Sequence, residues 1–387
     1  MALKGMRPVH VVAGGVSKFA KARPDRTFQP IVKEAFDEAL QDLGLEFGRA
    51  NELIDGTVGC YFSDHFMRQL KAATMVQDYL GLCPKPSHRV EGGGATGGLG
   101  FQEGWKSVAS GLMDVCLVFG WETMSHVQTW KGNEFIALAS DVSFDYPVGG
   151  FYSGYYAMMV VRHMHEFGTT VEQMAHVSVK NHTNALRNPD AHFQRAITVD
   201  EVLDSRMVAD PLRLLHCCPI SDGAAAVVLT ADRAAVRVAG IGQGTDTLAV
   251  RHRDTLTSFR ASRAAASAAF AMAGFGPERV ALAELHDAFA PFELMSLEDL
   301  GLVPAGKAGR ATLDGETMLD GRLPVNSSGG LKARGHPLAA TGLAQIVECV
   351  WQLTGRAEGR QVEARVALAQ SIGGLATNNW VTLLETP

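Results

Sequence analysis

The sequence predicts an α/β fold with mostly buried strands, built from two similar halves. Three observations carry this. Short Val/Ala/Leu runs bounded by glycine alternate with helix-length amphipathic stretches, the pattern of strands covered on both faces. Short motifs recur in the same order along the chain, the mark of an internal repeat. The composition joins 41 glycines and 47% hydrophobic residues to only 7% aromatics, which suits tight turns and close helix–sheet packing. The 387 residues are enough for two or three domains' worth of core.

The predicted strands include Val11–Gly15, Val115–Gly120, Ala224–Thr230 and Val366–Gln370. Val12-Ala13-Gly14 recurs as Val238-Ala239-Gly240. Ala95-Thr96-Gly97 opens a predicted helix ending near Gly111, and Ala340-Thr341-Gly342 opens one ending near Gly355. Ser221-Asp222-Gly223-Ala224 lies before an apolar strand, as Ser371-Ile372-Gly373-Gly374 does. The offsets are 240−14 = 226, 341−96 = 245 and 373−223 = 150. The fall from 245 to 150 leaves roughly 95 extra residues in the first half, after its Ala-Thr-Gly helix. This places an insertion at about 122–215, in an N-terminal half 1–235 followed by a C-terminal half 236–387. The insertion holds the stretch from Tyr146 to Tyr156, with Tyr146, Tyr152, Tyr155 and Tyr156 among glycines, whose composition suits a loop over a site.

Charge and cysteine usage exclude several function classes. The formal net charge is −6, so no basic surplus drives nucleic-acid binding. Met1–Gly15 has no long apolar stretch, and no apolar run is long enough to span a bilayer, so neither a secretory leader nor a membrane span is expected. The six cysteines, at 60, 83, 116, 217, 218 and 349, form no CxxC pair. They read as reduced thiols of a cytoplasmic protein, with no structural metal site.

Three segments have the composition of a site. Val90-Glu91-Gly92-Gly93-Gly94-Ala95-Thr96-Gly97-Gly98 is a glycine turn leading into a helix, whose backbone N–H groups suit an anion or oxyanion. It is neither a phosphate loop nor a dinucleotide fingerprint, because no Gly-Lys-Ser/Thr follows and no acidic residue closes a second strand at the usual distance. Glu284-Leu285-His286-Asp287-Ala288-Phe289 follows the apolar Val280-Ala281-Leu282 and precedes a helix at Glu293–Leu300. A strand-end His beside an Asp serves either as a catalytic donor or as a satisfied polar pair. The third segment, Asn326-Ser327-Ser328-Gly329-Gly330-Leu331-Lys332-Ala333-Arg334-Gly335-His336-Pro337, sets a histidine before a proline at the start of a helix from about Leu338.

These segments, with Gly120–Ser125, Lys180-Asn181-His182, Ser221–Ala226 and Glu298-Asp299-Leu300-Gly301, resemble the thiolase superfamily, in particular its SCP2-type and archaeal-type branch. The matches span nearly the whole chain in order. The resemblance implies two βαβαβαββ halves in a five-layered αβαβα core, an inserted loop domain, catalytic loops converging at the ends of two central helices, and a homodimer. It implies acyl-CoA thioesters as substrates, with coenzyme A entering as part of the substrate and no covalently bound cofactor or metal. By position, His286 and His336 match the pair that binds the thioester oxygen, His286 acting through a water in related enzymes. The backbone N–H groups of Gly94 and Gly373 match a second oxyanion hole. His336 also suits proton transfer.

The chain departs from the pattern at each sulfur. Gly94 stands where thiolases carry the nucleophilic cysteine, Ser371 where many carry a second, acid/base cysteine, and Ala288 where SCP2-type relatives supply it instead. An acyl-enzyme through cysteine is therefore not expected. An enolate site without a nucleophile suits retro-aldol cleavage of a β-hydroxyacyl-CoA. Thiolase-like aldolases of this branch work with a DUF35 partner, an OB-fold protein that often carries a zinc ribbon. Tyr146, Tyr152, Tyr155, Tyr156 and Ser371 are the alternative acid/base candidates. Two other readings stay open: thiolytic or acyl-transfer chemistry on a β-ketoacyl-CoA, and a non-catalytic CoA-binding or scaffold subunit.

Overall fold

The computed structural model describes residues 5–386. Nine strands form one sheet: β1 (His10–Val16), β2 (Gly56–Cys60), β3 (Ser87–Val90), β4 (Val115–Thr123), β7 (Asp222–Thr230), β8 (Val236–Thr245), β9 (Leu282–Glu284), β10 (Val366–Gly373) and β11 (Asn378–Glu385). A separate hairpin pairs β5 (Met207–Ala209) with β6 (Leu212–Arg213). The sheet order is β3-β2-β4-β7-β1-β8-β11-β10-β9. Counted within each half, this reads third, second, fourth, fifth, first, and then first, fifth, fourth, second. Val325 occupies the missing third place, where it makes a single parallel bridge to Ala283. The order is thus symmetric about the seam where β1 and β8 meet antiparallel, at His10 opposite Arg237 and Val11 opposite Val236. The second half keeps only a remnant of its third strand because Pro324, with no N–H to give a ladder, precedes Val325.

Helices make the other layers. Phe28–Asp42 covers β1 and β7 on one outer side, and Arg260–Ala273 covers β8 and β11 on the other. Between the two sheet halves lie the central helices Thr96–Ala109 and Leu338–Thr354, which touch each other and strands of both halves. The resulting order is helix, sheet, helix pair, sheet, helix. Every residue from Leu338 to Leu353 is buried, the polar Thr341, Gln345, Glu348 and Gln352 included. The recurring Ala-Thr-Gly has a steric cause. A Cβ on Gly97 would lie 2.6 Å from the Ala339 carbonyl oxygen and 3.0 Å from the Gly342 nitrogen, so the central helices cross backbone to backbone.

The insertion differs from its expected form. Strand β4 carries on through Glu122 and Thr123, and the chain rejoins the sheet at Asp222. Nearly half of what lies between is helical: Thr129–Ala137, Tyr152–Phe167, Val171–Ala185 and Val199–Asp204. The tyrosine-rich stretch is therefore a covering loop only as far as Phe151. Tyr152, Tyr155 and Tyr156 form the first turns of a 16-residue helix closed by left-handed Gly168. Its buried positions Tyr156, Ala157, Met159, Val160 and His163 follow helical spacing, which outweighs the local glycines. Among the described residues, no helix is long and apolar enough to cross a membrane.

Candidate active site

Four loops meet at the N-terminal ends of the central helices. Gly92–Ala95 leads into Thr96–Ala109, and Gly335-His336-Pro337 leads into Leu338–Thr354. His286–Phe289 follows β9, and Ile372–Gly374 ends β10. The His286 and His336 rings lie edge to face, with centroids 5.0 Å apart and planes at 89°. A Cβ on Gly94 would sit 3.6 Å from both Cε1 and Nε2 of His286, and 3.0 Å from the Ile372 carbonyl oxygen. The neighbouring Gly93 touches Gly373 and Gly374 at the same junction. Gly94 is half-buried while Gly93 and Ala95 are buried, so the turn opens at this one residue. The structure thus brings together His286, His336, Gly94 and Gly373.

The other candidate residues are placed differently. Alternation along β10 turns the Ser371 side chain toward the central helices. Its hydroxyl donates to Gln345 Oε1 at 3.2 Å, and it packs where a Cβ on Gly98 or Gly342 would fall. Tyr156 is buried against Phe289 and Phe292, and its hydroxyl donates to the Gly374 carbonyl at 2.9 Å. That phenol braces the glycine turn, and burial pushes its pKa up. Tyr152 stands next to it, with centroids 6.1 Å apart, and burial raises its phenol to about 12. Tyr146 packs on Phe151, and Tyr155 lies beside Asp145 and Gly150, so neither contacts the histidine pair.

Buried polar groups lock the two histidine loops together. Asp287 Oδ1 accepts from Leu331 N at 2.6 Å, and Oδ2 accepts from Lys332 N at 3.2 Å and Asn181 Nδ2 at 2.7 Å. Burial, then Glu293, raises the Asp287 carboxyl to about 6, which still leaves it ionised at neutral pH. Glu293 pairs with Lys180 at 3.0 Å and accepts from Asn181 at 3.0 Å and Asn326 Nδ2 at 2.7 Å. A strap from His216 to Ser221 joins both loops from the insertion side. Cys218 N donates to Ala288 O at 2.9 Å, and Ser221 Oγ accepts the His336 N–H at 3.2 Å. Sequence reasoning placed Asn326 in a candidate site segment but missed Glu293 as part of this scaffold. A charge inside the apolar run Pro291-Phe292-Glu293-Leu294-Met295 was the available signal.

Burial, reinforced by Arg334, drives the His336 pKa down to about 3. Burial, His336 and Arg334 take His286 well below its ordinary value. Both rings are therefore neutral at pH 7. Glu122 is buried against the start of the second central helix, accepting from Phe62 N at 3.0 Å and Ala339 N at 3.4 Å, and burial raises it to about 8. No thiol takes the place of the missing nucleophile. Cys60, Cys116 and Cys349 are buried in the core, and Cys83 is exposed beyond β2 and its helix. The Cys217 and Cys218 thiols in the strap are pushed up by burial to about 11 and about 12, far from thiolate formation. The site therefore offers two neutral imidazoles and a glycine turn, a surface for holding developing negative charge on oxygen.

Comparison with known proteins identifies the family of the chain. Residues 9–233 match the family described as "Thiolase, N-terminal domain", and residues 242–386 match "Thiolase C-terminal domain-like". An acetyl-CoA acetyltransferase of Methanothermobacter thermautotrophicus is 44% identical over 377 residues, covering 95% of this chain and 97% of that protein. Human sterol carrier protein 2 is 32% identical, covering 95% of this chain and 70% of its own length. A solved structure titled "Ltp2-ChsH2(DUF35) aldolase" superposes with a TM-score of 0.83 at 26% identity, over 98% of each chain. The chain belongs to the thiolase superfamily, in its SCP2-type branch, and is an enzyme of that superfamily.

Proposed function

We propose that this enzyme cleaves a β-hydroxyacyl-CoA by a retro-aldol reaction, with the CoA enolate held at His286 and His336. The observation that carries this reading is the open position at Gly94. A site that keeps its imidazoles and its glycine turn but has no nucleophile can stabilise an enolate without ever holding an acyl group. In the reaction the β-hydroxyl loses its proton and the Cα–Cβ bond breaks. The β-carbon leaves as an aldehyde or ketone, and the electron pair passes to the thioester as its enolate. Protonation at Cα then releases a shorter acyl-CoA. The superposable aldolase supports a partner of the DUF35 class, an OB-fold protein with or without a zinc ribbon. The exposed edge strand β3 fits pairing with a second copy in a homodimer. The six unpaired cysteines fit a reducing, cytoplasmic setting.

Thiolytic or acyl-transfer chemistry is the second reading. It is favoured by the 44% identity to a protein named acetyl-CoA acetyltransferase. The purified protein, alone and with any co-purifying partner, is incubated with a β-hydroxyacyl-CoA and separately with the matching β-ketoacyl-CoA plus CoA. An aldehyde or ketone with a shortened acyl-CoA from the first supports the retro-aldol reading. Two acyl-CoA products from the second, with none from the first, sink it.

A further inference from the structure

We propose that Thr341 is a positioning residue that fixes His336 as an Nε2–H donor, so that His286 and His336 present two N–H groups to one oxygen and neither ring is the base. The argument is a count of hydrogens. Thr341 Oγ1 lies 2.7 Å from His336 Nδ1 and 3.1 Å from the Pro337 carbonyl oxygen, and it has one proton to give. The Pro337 oxygen already accepts Ala340 N at 2.9 Å and Thr341 N at 3.1 Å, which fills both of its lone pairs. The hydroxyl proton therefore goes to Nδ1, at the shorter distance, and His336 carries its own proton on Nε2. Thr341 is fully buried in the first turn of the central helix, so no water competes for the contact.

His286 reaches the same tautomer by a different route. Its Nδ1 is sealed from solvent with no partner. An orphaned buried N–H is costlier than an unfilled lone pair, so the proton belongs on Nε2. That Nε2, with Cε1 beside it, faces the vacant position at Gly94. With ring centroids 5.0 Å apart, the two Nε2–H groups are close enough to serve one oxygen, as stabilising a single oxyanion requires. His336 is thereby removed from the proton-acceptor role expected of it from sequence. In the retro-aldol reaction the proton lost from the β-hydroxyl is balanced by the one that Cα takes up, and neither passes through these two rings. This chemical consequence rests on the proposed function, whereas the tautomers themselves do not.

The test begins with long-range 1H–15N correlation spectra of the ligand-free protein labelled with 15N-histidine. His336 and His286 are each expected to show a protonated Nε2 and a bare Nδ1. A protonated Nδ1 on His336 overturns the proposal, whatever reaction the enzyme performs. The second measurement uses Thr341→Val and Thr341→Ser. Valine keeps the shape but gives no proton, so turnover is expected to fall roughly 10- to 100-fold with KM little changed. The carbonyl stretch of bound 13C-labelled acetyl-CoA should move back toward its solution frequency. Serine should restore both within about threefold of wild type. Wild-type turnover and an unmoved carbonyl band in a folded Thr341→Val protein also overturn the proposal. Should the valine variant not fold, the wild-type spectra and the serine variant decide. Absence of β-hydroxyacyl-CoA cleavage by the wild type, with the Nε2–H tautomers observed, counts against the function alone.

Discussion

Asp287 Oδ1 accepts the backbone N–H of Leu331 at 2.6 Å, so the carboxylate beside His286 anchors the loop that runs on to His336. All three groups reaching Asp287 are donors: the N–H groups of Leu331 and Lys332 and the amide of Asn181. A carboxylate satisfies all three, whereas an amide must turn its own NH2 toward one of them. Asp287→Asn is therefore expected to cost about 1–3 kcal/mol in urea unfolding, because it strands a buried donor. Turnover should fall at least about tenfold as the two rings lose register. Unchanged turnover in this variant would mean that the loops are held by other groups.

Gly94 is the second test position. Its φ is not left-handed, so a side chain is not strained by the backbone there, and the added Cβ meets only the Ile372 oxygen closely, at 3.0 Å. Gly94→Cys is expected to fold with little loss of stability. It should not gain good thiolase activity, because Ser371 and Ala288 leave the acid/base sulfur absent. Gly94→Val should abolish turnover, since its branched side chain fills the space in front of His286 Nε2. Product analysis on both acyl-CoA substrates reads each outcome, and full activity of Gly94→Val would remove this turn from the site.

Much of the architecture is legible because it is written in spacing. The Ala-Thr-Gly repeat marks both central helices, and the second begins at Leu338 as expected. The His-Asp-Ala-Phe and Gly-His-Pro segments do converge. What stays hidden depends on long-range contacts. Nothing local to Tyr156 shows that its hydroxyl reaches Gly374, 218 residues away. Ser371 sits at a motif position, but only strand alternation and Gln345 show that it faces the helices. The tyrosine-rich stretch looks like a loop because glycine dominates its composition. Its helical half is set by burial of every third or fourth residue from Tyr156.

The helix crossing gives a stability prediction in which two effects oppose each other. Alanine in place of Gly342 gains up to about 1 kcal/mol of helix propensity. Its Cβ, however, meets Ser371 Oγ at 2.6 Å and the Gly97 carbonyl carbon at 2.9 Å. The serine can rotate, but a helix backbone cannot step aside without moving the whole helix. Overpacking of this kind costs roughly 1–3 kcal/mol or more and outweighs the propensity gain. Gly342→Ala should therefore lower the melting temperature, and Gly97→Ala, meeting the Ala339 oxygen at 2.6 Å, should do the same. A rise in melting temperature for either would mean that the helices are farther apart than described.

Acid should unfold this protein through its buried histidines. Burial lowers His182 and His216 to about 4 and His336 to about 3, from an ordinary 6.5. A depressed folded-state pKa contributes stability that is present above pH 6.5 and is lost as pH falls toward the folded value, because the unfolded chain binds the proton first. His182 and His216 are each worth on the order of 3 kcal/mol across that window, and His336 on the order of 5 kcal/mol. The raised carboxyls act with the opposite sign: Glu122, at about 8 against an ordinary 4.5, favours folding as pH falls and has given all it can by about 4.5. The two effects offset each other between pH 6.5 and 4.5, so the steep loss belongs below 4.5. His182→Asn isolates the histidine part. Its amide can still donate to the Arg195 carbonyl, which the His182 ring reaches at 2.8 Å, but it cannot take up a proton. Urea unfolding at a series of pH values should show the stability–pH slope between 6.5 and 4 reduced by about one proton in this variant. An unchanged slope would show that His182 is already charged in the folded protein, and that burial does not control its titration.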